Sequence, residues 1–455
     1  MQRRHSDSLS GWGRTTLVRG QLVDAGPADI ARVVNEAGAR GVIARGLGRS
    51  YGDAAQNSGG ITVRLMGNAG TAVLDSDAAT VDVDAATSID ELLRFLVPAG
   101  FFVPVSPGTR FVTIGGALAS DIHGKNHHVE GSFGNHVQSI TMLLADGSVI
   151  ECGPHILPDV FWATIGGMGL TGVILRATVR LIRIESSLIS VETTRIDDLD
   201  GLLAAMQDDD RFRYSVAWID LAAKGKRLGR SVLSRGDHAS AAQVQGSGRA
   251  DLLTYDPGQR ARIPPVIPRR GLLNNLSVSA FNELWFRKAP THRVDELSSI
   301  AGFFHPLDAV GAWNRLYGSR GFVQYQFVVP FGQELALRQV VEQISGSGAA
   351  SFLAVLKRFG PANQGFISFP QPGWTLALDL PAGAPGLADL VHRLDTLVLD
   401  AGGRHYFAKD SHTRPEVIQR GYPHLEQWQT IQRRLDPERR WQSDLARRLG
   451  LIESV

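Results

Sequence analysis

The stretch Ile43-Ala-Arg-Gly-Leu-Gly-Arg-Ser-Tyr-Gly-Asp53 runs from a short apolar strand into a loop with glycines at 46, 48 and 52. Glycine has no Cβ and reaches positive φ cheaply, so such a loop lets backbone N–H groups close in on a phosphate. The spacing departs from the G-x-G-x-x-G pattern that opens a helix, because Tyr51 stands where the third glycine belongs. Asp53 to Gly60 then reads as a polar turn. Alone, the loop is a surface turn; two further glycine-rich segments change that reading.

The second is Pro107 to Ser120, whose end from Gly115 is almost wholly small residues and predicts a short helix with an uncrowded N-terminus. The third is Thr164-Ile-Gly-Gly-Met-Gly-Leu-Thr-Gly172. Three such segments lose much backbone entropy on folding, so a large flat ligand against all three backbones is the better expectation than three idle turns.

The chain has 455 residues, 43% hydrophobic and 20% charged, which predicts two domains of a globular protein. A net charge of +2 gives no global field for nucleic acid, and the single cysteine, Cys152, excludes an intramolecular disulfide framework. The first residues lack the apolar core of a secretory signal, and no stretch reaches the roughly 20 apolar residues of a membrane span, so any membrane contact is expected to be peripheral.

Along the chain, Pro27–Ala37 predicts a helix, Gly41–Ala44 and Thr80–Ala85 predict strands, and Ser88 to Glu91 is a capping box opening a helix through about Val97. Val137–Ala145 and Ser148–Cys152 flank Asp146-Gly147, a strong hairpin signal. Ile174–Ile184, Phe322–Val329 and Thr375–Leu380 predict strands. Helices and strands mix without regular alternation, which makes the class α+β. Tyr255–Leu276, with four prolines and several arginines, predicts a loop without regular structure. The arginines of 433–448 are expected on a solvated helical face after Pro437.

Asp121 to Gly131 carries three histidines, but Gly124 argues against a helical His123/His127 pair, and no metal is expected. Lys125 reads as a phosphate contact or a solvated lysine.

Gly11-Trp-Gly-Arg14, Arg45–Asp53, Asp121–His128, Gly131–His136, Glu283–Lys288, Gln324-Tyr-Gln326 and Ala408-Lys-Asp-Ser411 resemble the decaprenylphosphoryl-β-D-ribose oxidases. These are flavoprotein subunits of the actinobacterial 2′-epimerase, within the vanillyl-alcohol-oxidase-type (PCMH-type) FAD family. The resemblance spans Gly11 to about Leu449. It implies a two-part FAD-binding domain, residues 1–186 and 404–455, with an antiparallel-sheet substrate domain, 187–403, inserted between.

The resemblance places FAD contacts at Ala44, Arg45, Gly46, Leu47, Gly48, Arg49, Ser50, Tyr51, Gly52, Asp53, Ala54, Gly108, Thr113, Ile114, Gly115, Gly116, Ser120, Asp121, Ile122, His123, Ile174 and Tyr406. Arg49 stands where some relatives tether FAD through a histidine, which implies noncovalent binding. Lys409 matches the family's active-site lysine; it or His123 is the expected proton acceptor. Lys125, Trp218, Gln326 and Lys357 match substrate positions. The implied reaction moves a hydride from C2 of a polyprenylphosphoryl ribofuranose to the flavin. An NAD(P)H-dependent ketoreductase is the implied partner, and a peripheral position at the plasma membrane or cell envelope is implied, with the cytoplasmic side left open. An alditol or aldonolactone oxidase and a flavin-free sugar-lipid binding module are the competing expectations. Ala377 stands where mycobacterial members carry a cysteine, which implies that the chemistry needs no thiol there; Thr375 and Phe304 replace their asparagine and tyrosine, which implies altered fine substrate contacts.

Overall fold

The computed structural model describes residues 3–453 except 68–71, 208, 246–250, 260, 265–266, 269–270 and 350. Three sheets organise the chain. In the first, Val18–Ala25 and Val42–Ala44 run parallel on either side of Ile61–Leu65, and Arg3–Leu9 adds an antiparallel edge. The helix Pro27–Asn35 makes the crossover between the two parallel neighbours and buries Ile30, Val33 and Val34. Val42–Ala44 therefore ends inside the fold and delivers the first glycine loop from a fixed point.

A second, five-stranded antiparallel sheet contains the hairpin read from Asp146-Gly147, with Ile140 opposite Cys152 and Leu143 opposite Val149. The capping box is formed: Ser88 Oγ accepts from Glu91 N, and the Glu91 carboxylate accepts from Ser88 N. The segment Ile174–Ile184 is not one strand. Val173–Arg180 pairs with Val137–Leu143 through a register shift at Thr178/Val179, and Ile182–Arg183 leaves to pair with Phe101–Phe102. The bulge re-aims the chain, a change that β-branched composition does not signal.

The third sheet has eight antiparallel strands, from Leu188–Ile196 to Arg404–His405. Its period of two sorts the side chains. Val323, Tyr325, Phe327, Leu356, Leu376 and Leu378 pack against the helices Leu199–Met206, Glu334–Ser347 and Leu387–Asp400. The alternate residues Gln324, Gln326, Lys357 and Ala377 face the other way, toward the glycine loops.

The C-terminal tail returns to the first sheet. Val42 N donates to Arg440 O at 2.7 Å, Gln442 N donates to Val42 O at 3.0 Å, and Trp441 is fully buried beside Val42. The architecture is α+β, a two-part domain with an antiparallel sheet inserted.

The Pro/Arg segment is more structured than expected. Ala261–Arg262 forms a short parallel pairing with Val310–Gly311, Leu272 N donates to Leu316 O at 2.8 Å, and a helix begins at Asn275. Prolines remove donors only at their own positions, and the residues between them still pair. Arg260, Pro265, Arg269 and Arg270 lie outside the described residues.

Candidate active site

One cleft of about 860 Å³ lies between the inserted sheet and the two-part domain. All three glycine segments reach it: Ala44–Tyr51, Gly115–Gly116 and Gly169–Gly172. Glycine is required there by close approach. A Cβ on Gly46 would come within 2.4 Å of Thr113 Oγ1, and Gly169 sits at φ +78°. The small-residue helix is Ile114–Ala119, capped by Thr113 Oγ1, which accepts from Gly116 N at 3.1 Å. The Arg49 guanidinium lies 4.0 Å from the Trp12 ring centroid, and its Nε is buried without a partner. Bare main chain, a helix N-terminus and an unsatisfied guanidinium fit a flat, anionic dinucleotide.

Of the residues expected to touch FAD, most line this cleft: Ala44 to Tyr51, Ala54, Gly108, Thr113, Gly115, Gly116, Ser120, Ile122, His123, Ile174 and Tyr406. Four residues are used elsewhere. Ile114 is in the core. Gly52 is pressed on the Lys409 segment, where a Cβ would fall 1.9 Å from Asp410 O. Asp53 accepts from Arg448 Nε and Nη2 at 2.9 and 2.7 Å. Asp121 is fully buried and accepts from Ser132 Oγ at 2.7 Å, Gly134 N at 2.9 Å and Asn363 Nδ2 at 2.7 Å. At φ +39° it turns the chain so that His123 enters the cleft wall.

The arginines of 433–448 are likewise not all solvated. Arg448 joins Asp53 to Asp410, with Nη1 donating to Asp410 Oδ2 at 2.9 Å and to Thr413 O at 2.6 Å. Arg447 Nη2 donates to Asn57 Oδ1 at 2.9 Å. Helix after Pro437 begins only at Asp444. Acceptors distant in sequence, Asp53 and Asp410 for Arg448 and Asn57 for Arg447, draw these arginines inward.

The cleft floor carries the titratable groups. Lys409 Nζ lies 4.1 Å from the Tyr51 ring centroid. Burial lowers it to about 8, and Asp379 opposes that shift. Asp379 is itself pushed up to about 7 by burial, although Gln324 Nε2 donates to it at 2.6 Å and Tyr317 OH at 3.2 Å. Burial, then the charges of Lys409 and Lys125, lower Lys357 to about 7. Lys125, half-buried rather than solvated, donates to Phe303 O, lies 4.2 Å from that ring's centroid and is lowered by burial to about 7.

His123 has both ring nitrogens engaged: Nε2 meets Gln326 Nε2 at 3.0 Å, and Nδ1 meets Lys357 Nζ at 2.9 Å. Burial first, then Lys357, hold it well below the usual imidazole range. His127 is on another element, with Nδ1 accepting from Gly360 N, and among the described residues no group of three metal-ligating side chains forms.

Trp218 lines the cleft and donates through Nε1 to Phe352 O at 3.2 Å. Sequence reasoning gave no site role to Trp12, Phe281 or Trp285, which line the cleft, nor to Asp379, whose charge acts on Lys409. Asp379 had a readable signal, since Thr375, Ala377 and Asp379 interrupt an otherwise apolar strand at every second position.

A split domain with a glycine-lined dinucleotide cleft over a lysine-bearing sheet defines a flavin-dependent oxidoreductase. Residues 25–153 match the family model described as an FAD binding domain. Decaprenylphosphoryl-beta-D-ribose oxidase of Mycolicibacterium smegmatis is 45% identical over 98% of this chain and 97% of its own length. An uncharacterized protein of Streptomyces coelicolor is 38% identical over 80% of this chain and 100% of its own. Cytokinin dehydrogenase 4 of Arabidopsis thaliana is 30% identical over 31% of this chain and 28% of its own. The chain belongs to the decaprenylphosphoryl-β-D-ribose oxidase family.

Proposed function

We propose that this chain oxidises the C2 hydroxyl of a polyprenylphosphoryl-β-D-ribofuranose to the 2-keto sugar, using noncovalent FAD. A separate NAD(P)H-dependent ketoreductase then completes epimerisation at C2. The observation that carries the reading is a single cleft whose wall passes from bare glycine backbone to a lysine and glutamine floor to an aromatic mouth. The printed activity of the Mycolicibacterium relative supports the substrate class.

Bound FAD would accept the hydride. The glycine segments would hold its phosphates, and the absence of histidine at position 49 supports a noncovalent site. Lys409, kept partly cationic by Asp379, stabilises negative charge that develops beside it. Gln326 and Lys357 orient the sugar. Lys125 faces the lipid phosphate, whose charge would restore a proton that burial has loosened.

The mouth suits a lipid tail. The helix Asn275–Lys288 buries Val278, Asn282 and Phe286, yet shows a second apolar side: Leu276 is 82% exposed, Leu284 68%, Trp285 47% and Phe281 42%. Phe281 and Trp285 also line the cleft. Such a patch, followed by Arg287 and Lys288, supports peripheral docking on an anionic bilayer at the plasma membrane or cell envelope. Among the described residues no helix is long and apolar enough to cross a membrane.

Anaerobic mixing of the yellow protein with substrate tests the reading. Polyprenylphosphoryl ribose should bleach the flavin at one equivalent while free alditols and aldonolactones leave it oxidised. The reverse preference would make the chain a free-sugar oxidase, and a colourless protein that takes up no FAD would defeat both.

A further inference from the structure

A chain of hydrogen bonds crosses the cleft floor. Thr375 Oγ1 donates to Phe327 O at 2.8 Å, which uses its only proton. It is therefore an acceptor toward Gln326, whose Nε2 lies 3.2 Å away. The opposite amide orientation would set two oxygens without a proton against each other. With its orientation fixed, Gln326 Nε2 also faces His123 Nε2 at 3.0 Å, so that ring nitrogen accepts. A neutral imidazole that accepts at Nε2 carries its proton at Nδ1. Nδ1 lies 2.9 Å from Lys357 Nζ. An ammonium there would meet an N–H head on; a free amine has the lone pair that this N–H needs. Imidazolium is excluded on the same count, because Nε2–H would face the amide donor.

We propose that Thr375, acting through Gln326 and His123, presents Lys357 to the cleft as an unprotonated amine, and that this amine takes the proton of the substrate hydroxyl. The inference rests on the oxidase reading and deepens it. As the O–H bond breaks, its proton goes to Lys357 Nζ and its electron pair forms the C=O bond. The hydrogen on the same carbon leaves with its electron pair to oxidised FAD. Thr375, Gln326 and His123 are positioning residues; Lys357 is the group that meets the substrate. The titratable groups around Lys357 are His123 at contact, Lys409, Lys125 and, across the ring cluster, His127. Both histidines are neutral, and the charges of Lys409 and Lys125 favour the uncharged amine, consistent with its lowering to about 7.

Two measurements on the FAD-loaded protein test this. In NMR with ring-labelled histidine, the His123 signal, assigned by its loss in His123→Gln, should report the Nδ1–H tautomer at pH 8. Thr375→Val should mix the tautomers and Thr375→Ser should not. An Nε2–H tautomer in the unaltered protein overturns the proposal. In stopped flow, flavin bleaching by polyprenylphosphoryl ribose should slow as pH falls below about 7. Lys357→Met should lose that limb and bleach about 100-fold or more slowly, with partial rescue by a small primary amine. Thr375→Val should move the limb to higher pH. An unchanged limb in Lys357→Met assigns the proton to another group and overturns the proposal. If the unaltered protein is bleached at no pH, the oxidase reading fails instead, and the tautomer still decides the hydrogen-bond chain.

Discussion

Lys409 and Lys357 share one floor but face different pressures. Burial loosens the proton of both, yet only Lys409 has a carboxylate, Asp379, to hold it. Lys409→Ala should therefore leave FAD bound, read by absorbance after gel filtration, while slowing flavin bleaching about 100-fold or more. Bleaching at full rate would remove Lys409 from the chemistry. Lys357 also leaves a thermodynamic trace. Its folded pKa, about 7, lies below the 10.5 of an ordinary lysine, so the unfolded chain binds more protons between those values. Stability contributed by this group rises with pH through that window. Lys357→Met should flatten the rise in Tm from pH 7 to 10 and raise Tm at neutral pH, the usual trade of stability for a strained site. Lys409 was legible through its family motif and Lys357 only as a matched substrate position. The direction of the Gln326 amide was not, and Asp379 showed only as a polar break in an apolar strand, because such a residue gains its meaning when neighbouring strands pair.

At the scale of elements, the site is held together by contacts between segments far apart in sequence. Arg448, on the helix Asp444–Leu449, binds Asp53 at the end of the first glycine loop and Asp410 next to Lys409. Arg448→Ala would strand two largely buried carboxylates and should lower stability by about 3 kcal/mol, measured by urea unfolding, with faster FAD release. Gly52→Ala drives a Cβ into Asp410 O and should separate the loop from the Lys409 segment, lowering FAD affinity at least tenfold by fluorescence titration. Local signals were readable where one segment suffices: the Ser88/Glu91 capping box, the Asp146-Gly147 hairpin and the Phe322–Val329 strand. They were silent where the cause is distant. The break after Arg180 depends on Phe101–Phe102, the order within 255–276 depends on Gly311 and Leu316, and the inward arginines depend on Asp53 and Asn57.

For the whole molecule, the inserted sheet gives one face to its helices and the other to the glycine segments, so one cleft runs from Ala44–Tyr51 past Lys409 and Lys357 to Phe281 and Trp285. If the mouth helix docks on a bilayer, Leu276→Glu with Leu284→Glu should abolish flotation with anionic vesicles while leaving FAD binding intact. Retained flotation would place membrane contact elsewhere. The most direct test of the shared cleft is a crystal structure of the FAD-loaded protein. The account predicts the nucleotide between Ala44–Tyr51, Gly115–Gly116 and Gly169–Gly172, with the flavin ring beside Lys409 and open toward Gln326 and Lys357. A flavin bound away from these segments, or with Lys409 outside its contact distance, would contradict it.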